Sequence, residues 1–492
     1  MSGQVLLLGL LALPLAGAGL SWFIRPIPVL HTLAAVTHLA VLALALVLIS
    51  GLLAGGHPQA FGNWLYLDDL SGVVLLIVAG VGLTAAVYSI GYLHHEVREA
   101  AVAPEEVKRY YTLLHVFSFT MLASAVSGNL GVLWTAVAAT TIASAPLVDF
   151  YGSREPLEAA WKYIMLTTAG SMVALLGFLI LYQAGVHVLG QSYDFSYPVL
   201  GPVAARLPAA ATSAAFLLVL VGFGTKAGLA PMHTWLPDAH SQAPSPICAL
   251  LSGVELNCAM LAIFRVFSLT APSAGATHLR LELLVFGILS VLIAVLFLVT
   301  QKDFKRLLAY SSIEHMGLVT VGLGVGVPLA VFGSLLQMVN HALTKSLMFF
   351  ATGNVLLRYR TREIGAVRGL ARTMPATAAL VLCGAFAIAG APPFNLFLSE
   401  FSIVGAAAVS RQWVPALTVA VLLVIGFIAI VAPFNRMVFG GGDPGEPVAA
   451  AEINQLALVP AYLTLVFVLV LGVWIPGPLS DLIKGAARVV LP

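Results

Sequence analysis

Long apolar segments separated by short polar ones run along almost the whole chain. A helix needs about 20 apolar residues to cross the hydrocarbon core of a membrane, and it satisfies its own backbone hydrogen bonds there. With that window, the pattern predicts an all-α, polytopic membrane protein with about 14 transmembrane helices. The predicted helices lie at 4–24, 28–53, 69–93, 111–128, 130–150, 159–185, 212–233, 244–270, 281–300, 303–326, 328–357, 374–409, 413–437 and 455–475.

Two of the predicted helices are interrupted. The seventh contains Pro231 and Pro237, and the twelfth, which is too long for one crossing, contains Pro392-Pro393. These broken helices are five apart, and because five is odd, a five-helix repeat places its second copy upside down. Helices 4–8 and 9–13 therefore predict an inverted repeat, a pattern typical of transporters with their pathway at the breaks. The predicted units are 1–110 (helices 1–3), 111–270 (first repeat), 281–437 (second repeat) and 438–492 (helix 14 and tail).

Composition excludes a soluble globular domain. The residues AVILMFWYC make up 60% of the chain and charged residues only 9%, against about 25% in soluble domains. The three cysteines, Cys248, Cys258 and Cys383, form no CxxC pair, so we expect no iron–sulfur cluster, no metal site and no resident cofactor. There is no basic patch for nucleic acid. No Lys or Arg precedes the first apolar run, which is expected to remain a transmembrane helix rather than a cleaved signal peptide.

The distribution of Lys and Arg predicts the orientation of the chain. Loops after odd-numbered helices carry 15 of these residues, and the opposite loops carry 6. Because positive residues favour the cytoplasmic side, both termini are expected on the non-cytoplasmic side of the inner (cytoplasmic) membrane. The remaining two, Lys226 and Lys345, lie inside apolar helices. A charge there is costly, so function is expected at these two positions.

Lys226 and Glu255 are candidates for a buried charge pair. Lys226 stands in the last turn before Pro231, where the negative end of the half-helix favours its charge. Glu255 lies at the centre of helix 8, as a proton carrier or as the counter-ion of Lys226. A buried lysine is a candidate proton relay, and the alternative is a purely structural ion pair.

A second group of polar residues falls on helices 10 to 12. His341 and Lys345 are spaced i, i+4 and share one face of helix 11, where an imidazole could pass protons to the lysine. Glu314 and His315 lie midway along helix 10, where they could line a water chain or join helices by hydrogen bonds. Glu400 lies in the second turn after the break in helix 12, where a helix N-terminus stabilises a carboxylate.

Polar residues also surround the break in helix 7. His233, Asp238 and His240 either line a cavity entrance or satisfy the broken backbone. Elsewhere, His31 and His38 share a face of helix 2 and could ligate a haem. Because no matching pair is evident on a second helix, we expect no haem.

Several runs of sequence resemble a known family. TKAGLAPMHTWLPDAHSQAPSP at 225–246, KRLLAYSSIEHMG at 305–317 and HALTK at 341–345 are similar to the signature of the antiporter-like proton-channel subunits of respiratory complex I. Within that group, SSIEHMG, SGVELNCAM and APPFNLFLSEF resemble most closely component F of hydrogenase-4 and related group 4 membrane-bound hydrogenases. The resemblance covers roughly helices 3 to 13.

The resemblance implies a subunit that moves protons along buried charged groups while partner subunits carry the electrons. It implies Lys226 as the helix 7 lysine of the family. It implies His341 and Lys345 as the helix 11 relay, and Glu400 as the terminal residue on helix 12.

One departure from the family concerns helix 5. The family usually has a glutamate there that pairs with the helix 7 lysine, but Ala138 stands about where that acid would be. We hypothesise that Glu255 replaces the missing counter-ion.

The sequence thus favours a proton-translocating membrane subunit of a complex I-like or hydrogenase-4-like oxidoreductase. It would hold no redox centre and would bind the other membrane and peripheral redox subunits. A cation/proton antiporter or ion-uptake subunit without redox partners is one alternative. A non-pumping scaffold, motivated by the missing acid on helix 5, is the other.

Overall fold

The computed structural model describes residues 3–441, 452 and 455–491, which are almost entirely helical. Part of the predicted unit 438–492 therefore lies outside the described residues. The α-helices in chain order are α1 Gly3–Phe23, α2 Ile27–Leu53, α3 Asp69–Arg98, α4 Pro104–Val126, α5 Leu130–Val148, α6 Arg154–Leu189, α7 Tyr197–Leu200, α8 Ala209–Ala227, α9 Trp235–Gln242, α10 Ser245–Leu250, α11 Leu256–Ala274, α12 Ala276–Leu298, α13 Phe304–Val325, α14 Pro328–Tyr359, α15 Leu370–Thr373, α16 Pro375–Ile388, α17 Asn395–Val409, α18 Trp413–Phe439, α19 Gln455–Val473 and α20 Gly477–Val490. The other elements are 3₁₀-helices at Gly201–Arg206 and Ile364–Ala366, a π-helical turn at Leu251–Glu255, and an antiparallel pair of strands, β1 Gln59–Ala60 and β2 Leu65–Tyr66.

The long helices have the length and surface of membrane spans. Ten helices in the described part of the chain are long and apolar enough to cross a membrane, which confirms the predicted all-α, multi-pass class. The count of about 14 stays a prediction. Peripheral helices expose large apolar side chains such as Ile142, Val409 and Val414, because these face lipid rather than water. By contrast, the continuous segment 245–274 is buried throughout its most apolar window and contacts α3, α8 and α14.

The structure contains both predicted broken helices. The first half-helix, α8, ends at Ala227, and Gly228 adopts a φ of +79° that favours glycine, before α9 begins. The second break separates α16 from α17. At the first break, Trp235 Nε1 donates to the carbonyl oxygen of Thr225 at 2.8 Å, which adds a short side-chain hydrogen bond to the 3.3 Å contact of this carbonyl with the Gly228 amide.

The predicted break at Pro237 is wrong. Pro237 lies in the first turn of α9, where a missing backbone N–H costs no helical hydrogen bond. The chain leaves the helix six residues later instead, at Ala243 and Pro244 between α9 and α10.

Arg265 and Asp68 form a buried ion pair that links α11 to the start of α3. Both carboxylate oxygens of Asp68 accept from the Arg265 guanidinium, which also lies 4.4 Å from the centre of the Tyr197 ring. Lys305 is buried as well and donates to the carbonyl oxygen of Ala243 at 2.6 Å. The assignment of all but two basic residues to loops is therefore wrong for Arg265 and Lys305, because their partners come from distant parts of the chain.

Replacing Arg265 with Leu should destabilise the protein strongly. The substitution leaves the Asp68 carboxylate buried without its cation, at a cost of about 3–5 kcal/mol. Thermal unfolding of the detergent-solubilised protein should show a lower Tm for the single variant. The double variant Asp68→Leu/Arg265→Leu should recover most of that loss, since it leaves no unpaired charge. Arg206→Leu, at an exposed arginine, is the control, and equal Tm values for it and Arg265→Leu would contradict the prediction.

Candidate functional site

Lys226 and Glu255 meet inside the bundle as a fully buried pair. The Lys226 Nζ lies 2.8 Å from Glu255 Oε1, and both side chains are 0% exposed. Lys226 stands in the last turn of α8, whose carbonyl end favours a positive charge. Glu255 ends the π-helical turn Leu251–Glu255, a local distortion that is frequent at functional sites. The predicted juxtaposition of these two residues is therefore present.

Helices α5 and α6 complete the surroundings of this pair with hydroxyl groups. Thr140 Oγ1 donates to Glu255 Oε1 at 2.8 Å, and Tyr163 OH donates to the same oxygen at 2.6 Å. Thr141 Oγ1 accepts a hydrogen bond from Lys226. Helix α5 thus contributes neutral hydrogen-bond partners where an acid was expected. The other oxygen, Glu255 Oε2, is buried without a partner among the described residues.

Hydroxyl groups of two neighbouring helices also lie between the first charge pair and the second lysine. Ser252, one turn before Glu255, hydrogen-bonds to Ser312 with 2.8 Å between the Oγ atoms. The neighbouring Ser311 Oγ accepts from Lys345 Nζ at 2.5 Å. Lys345 donates as well to a backbone carbonyl of α13, and no salt bridge to it is present in the described residues. The two lysines therefore differ, since only Lys226 has a carboxylate partner.

Two imidazoles lie beyond Lys345. The ring centres of His341 and His315 are 5.4 Å apart. Both ring nitrogens of His341 are buried with no partner in the described part of the chain. His315 Nε2 lies 3.2 Å from the carbonyl oxygen of Ile388, so this nitrogen carries the hydrogen, and Nδ1 accepts from Gln337 Nε2 at 3.0 Å.

Glu400 ends this line of polar groups. Its Oε1 lies 3.8 Å from His315 Nδ1, and its side chain lines an open crevice of about 340 Å³ between α17 and α18. Glu314 is buried nearby with Oε2 unpartnered among the described residues, although it was not among the predicted pathway residues. Glycines face both acids: a Cβ at Gly390 would clash with Glu400 Oε2, and one at Gly426 would clash with Glu314 Oε1.

The three residues predicted to line a cavity entrance lie in different surroundings. Asp238 is near the surface and forms salt bridges with Arg306 and, at 3.2 Å, with Lys162. His233 is buried. His240 is fully buried with neither ring nitrogen partnered in the described residues, so it lies too deep for an entrance.

The arrangement brings together lysine, carboxylate and imidazole side chains, which are the kinds of group that gain and lose protons in catalysis. Prediction from the sequence found the charged members, but it missed Thr140, Thr141, Tyr163, Ser252 and Gln337. A polar residue in an apolar helix was the available signal, but such residues also serve only to join helices. No three or more His, Cys, Asp or Glu side chains are grouped to hold a metal ion in the described residues.

The chain is similar in sequence and fold to known proteins along most of its length. Residues 127–426 match the family described as "NADH:quinone oxidoreductase/Mrp antiporter, TM", and residues 63–101 match "NADH-Ubiquinone oxidoreductase (complex I), chain 5 N-terminus". The chain is 34% identical to a hydrogenase-4 component F homologue of Methylacidiphilum infernorum, over 84% of this chain and 86% of that protein. It is 30% identical to NADH-quinone oxidoreductase subunit N of Desulforudis audaxviator, over 89% and 87%. A chain of the membrane-bound sulfane sulfur reductase, an archaeal respiratory membrane complex, has a similar fold, with a TM-score of 0.88 at 25% identity over 99% of this chain and 98% of that one.

Adding a methyl group at the glycines that face the two acids should destabilise the protein. Gly390→Ala combines a crowded Glu400 with a φ of +73°, and a non-glycine residue in that region costs about 1–3 kcal/mol. Gly426→Ala crowds Glu314. Gly405→Ala on α17 is the matched control, because its Cβ would meet nothing within 4 Å and alanine favours a helix over glycine by about 1 kcal/mol. A lower Tm for Gly405→Ala than for the other two variants would count against this account of the site.

Proposed function

Because this chain belongs to the transmembrane family shared by NADH:quinone oxidoreductases and Mrp antiporters, we propose that it translocates protons as a membrane subunit of a complex I-like or hydrogenase-4-like oxidoreductase. It holds no redox centre of its own in this proposal, and its partners are the other membrane and peripheral redox subunits. The observation that carries the proposal is the fully buried contact between Lys226 and Glu255, 2.8 Å apart. A purely structural core would gain as much stability from apolar residues of the same volume.

The proposed mechanism uses the charge pair as a switch. Lys226 keeps its proton while Glu255 faces it, and loses the proton when a conformational change weakens that contact. The proton then passes by way of water and His341 to Lys345, and leaves near Glu400. Moving one charge against 100 mV costs about 2.3 kcal/mol, which the redox reaction of the partner subunits supplies.

Polar contacts between the two lysines support the route. The Ser252–Ser312 hydrogen bond of 2.8 Å and the Ser311–Lys345 contact of 2.5 Å place hydroxyl groups between Glu255 and Lys345. His315 continues the line towards Glu400, which lies at an open crevice between α17 and α18. We assign the predicted pathway residues Lys226, Glu255, His341, Lys345, His315 and Glu400 to this route.

The proposal extends to the arrangement of the chain in the membrane. The units 111–270 and 281–437 form the inverted repeat, each with its broken helix in fourth position, and 1–110 and 438–492 flank them. Both termini lie on the non-cytoplasmic side of the cytoplasmic membrane. The excess of Lys and Arg in the loops after odd-numbered helices supports this orientation even when Arg265 and Lys305 are left out of the count.

A cation/proton antiporter without redox partners is the second candidate. The description of the matched family names Mrp antiporters, and the buried Glu314 Oε2 has no partner among the described residues. A free carboxylate oxygen of this kind also suits a hard cation such as Na⁺. Translocation that requires Na⁺ would favour this candidate. The contact between Lys226 and Glu255 weighs against a non-pumping scaffold, because it supplies the counter-ion that helix 5 lacks.

Lys226→Gln should abolish most proton translocation. The glutamine keeps the length and polarity of the side chain but cannot gain and lose a proton, so the rate should fall to about a hundredth of wild type or less. The measurement is internal acidification or alkalinisation of vesicles that contain the purified complex, followed with a pH-sensitive dye during turnover. Lys302→Gln, at an exposed lysine, is the control. A wild-type rate in Lys226→Gln would contradict the proposed function.

Moving the acid from the π-helical turn before α11 to α5 tests whether Glu255 serves as the relocated counter-ion. Glu255→Gln alone should slow translocation severely, because Lys226 loses its carboxylate partner. Thr140 is the nearest replacement site, since its Oγ1 lies 2.8 Å from Glu255 Oε1 and aspartate is close to threonine in size. The double variant Thr140→Asp/Glu255→Gln should therefore restore part of the rate in the same vesicle assay. A wild-type rate in Glu255→Gln would remove Glu255 from the mechanism.

A further inference from the structure

Three buried histidines form a second polar cluster, far along the chain from Lys226. His31 and His38, on α2, face Tyr111 and Ser118 on α4. His31 Nδ1 lies 2.7 Å from Tyr111 OH, and His38 Nε2 lies 2.9 Å from Ser118 Oγ. Both pairs are separated by 80 residues, so the two helices run parallel with these positions in register. His115, between Tyr111 and Ser118 on α4, stacks on His38 with ring centres 5.2 Å apart.

The hydrogen bonds of His38 define how it can handle a proton. Its Nδ1 lies 2.9 Å from the carbonyl oxygen of Ala34, and because a carbonyl only accepts, Nδ1 carries a hydrogen. The neutral ring therefore accepts from the Ser118 hydroxyl at Nε2. When Nε2 takes up a proton, the Ser118 hydroxyl must rotate and accept instead of donating. His38 and Ser118 thus form an end point that can hold a proton and return it.

His115 is the member of the cluster whose two ring nitrogens are both free. It is 0% exposed, and neither nitrogen has a hydrogen-bond partner among the described residues. Gly17 of α1 leaves room for the ring, since a Cβ there would lie 2.9 Å from His115 Cε1. An imidazole in this state can take a proton at one nitrogen and release the proton of the other nitrogen. A buried histidine with a purely structural role would be expected to form hydrogen bonds with both ring nitrogens.

The cluster begins close to a charged boundary of the bundle. Lys108, one turn before Tyr111 on α4, lies 4.7 Å from the centre of the Trp22 ring. Exposed Arg25 precedes α2 on the same side. From there the polar side chains Tyr111, His115 and Ser118 follow each other on α4 at helical spacing, over about 10 Å of helix.

We propose that His31, His115 and His38 form a second proton relay, which carries protons from the Lys108 boundary into the membrane. A proton enters at His31 or Tyr111 and passes to His115 by way of water. It then reaches His38 Nε2, where the Ser118 hydroxyl turns to accept it. Because the stacked rings of His38 and His115 would repel each other if both were charged, the pair holds one extra proton at a time.

The inner end of this relay comes close to the first charge pair. Met121, one turn beyond Ser118 on α4, has its carbonyl oxygen 3.9 Å from the thiol of Cys258. Cys258 in turn lies one helical turn from Glu255. The relay is therefore placed to deliver protons to the neighbourhood of Glu255, and this destination rests on the proposed function of the Lys226–Glu255 pair.

The other titratable groups around the relay are few. His94 on α3 is close enough to His31 to interact electrostatically. On α4, Tyr111 contacts His31, and the Tyr110 ring packs on Tyr111 with ring centres 5.4 Å apart. Helix α1 contributes Gly17 but no titratable side chain. No salt bridge in the described residues involves the three relay histidines. The relay therefore accepts and releases protons without a carboxylate that would trap them.

The test is proton translocation by the purified complex in vesicles, with variants that keep the volume of each side chain. His115→Gln fills the space and still forms hydrogen bonds, but it cannot carry a proton. We expect it to slow translocation about tenfold or more. Ser118→Ala removes only the hydroxyl that takes over the proton at His38, and it should slow translocation as well even if His115→Gln fails to assemble. His187→Leu, at an exposed histidine of α6, is the control and should keep the wild-type rate.

Parallel measurement of Lys226→Gln separates this relay from the proposed function. If His115→Gln and Ser118→Ala translocate protons as fast as His187→Leu, the relay is overturned, whatever Lys226→Gln does. If they are slow while Lys226→Gln is as fast as wild type, the relay stands and the role of Lys226 falls. Slow rates in all three variants support both proposals.

Discussion

An ammonium group held in the interior of the bundle, away from bulk water, is the constraint on which the centre of this protein depends. A charged Lys226 without a partner at this position would reduce the free energy of unfolding by several kcal/mol. The structure meets this requirement with a carboxylate 2.8 Å away, a threonine hydroxyl and the carbonyl end of α8. The carboxylate comes from the π-helical turn before α11, the hydroxyl from α5 and the carbonyl end from α8 itself, so one charge holds these three elements together. Because the charge of Lys226 depends on these partners, the pair is suited to act as a switch. A small shift of one helix would change the contacts of the ammonium group and so its tendency to hold a proton.

The same lack of water explains how the helix breaks are built. A broken helix exposes backbone groups that must find partners inside the protein. At the first break these are the Trp235 indole and the Ser290 hydroxyl, which bind the Thr225 carbonyl and the Ala230 amide at 2.8 and 2.9 Å. At the second break, His315 Nε2 donates to the carbonyl oxygen of Ile388, the last residue of α16, at 3.2 Å. The breaks are therefore rigid, polar junctions within an apolar bundle, and the candidate pathway passes beside both.

The position of an acid in space matters more here than its position in the chain. Helix α5 carries no glutamate, and the α5 residue that hydrogen-bonds to Lys226 is Thr141. The acid comes instead from the π-helical turn before α11, which ends at Glu255. Thr140 and Thr141 then serve both charges by hydrogen bonds. The chain thus keeps a buried lysine–carboxylate pair after exchanging the helix that supplies the carboxylate.

Features that depend on local physical chemistry could be predicted from the sequence, whereas the meeting of distant residues could not. Hydropathy over about 20 residues predicts membrane helices, and prolines mark broken helices, because both signals act within a single segment. The scarcity of charge was enough to single out Lys226 and Lys345. Local reasoning failed at Pro237, since a proline in the first turn of a helix breaks nothing.

The Arg265–Asp68 pair joins positions 197 residues apart, and no local pattern shows that an arginine near a helix end is buried rather than in a loop. The sequence left open whether His240 lines a cavity entrance or satisfies the broken backbone, and the fold buries it in the core. His115 joins His38 from another helix. The physical reason is the same in each case. The hydropathy of a membrane helix is similar whether its surface faces lipid or another helix, so the sequence does not show which surfaces pack together. Only the packing of the helices determines which buried polar side chains come into contact.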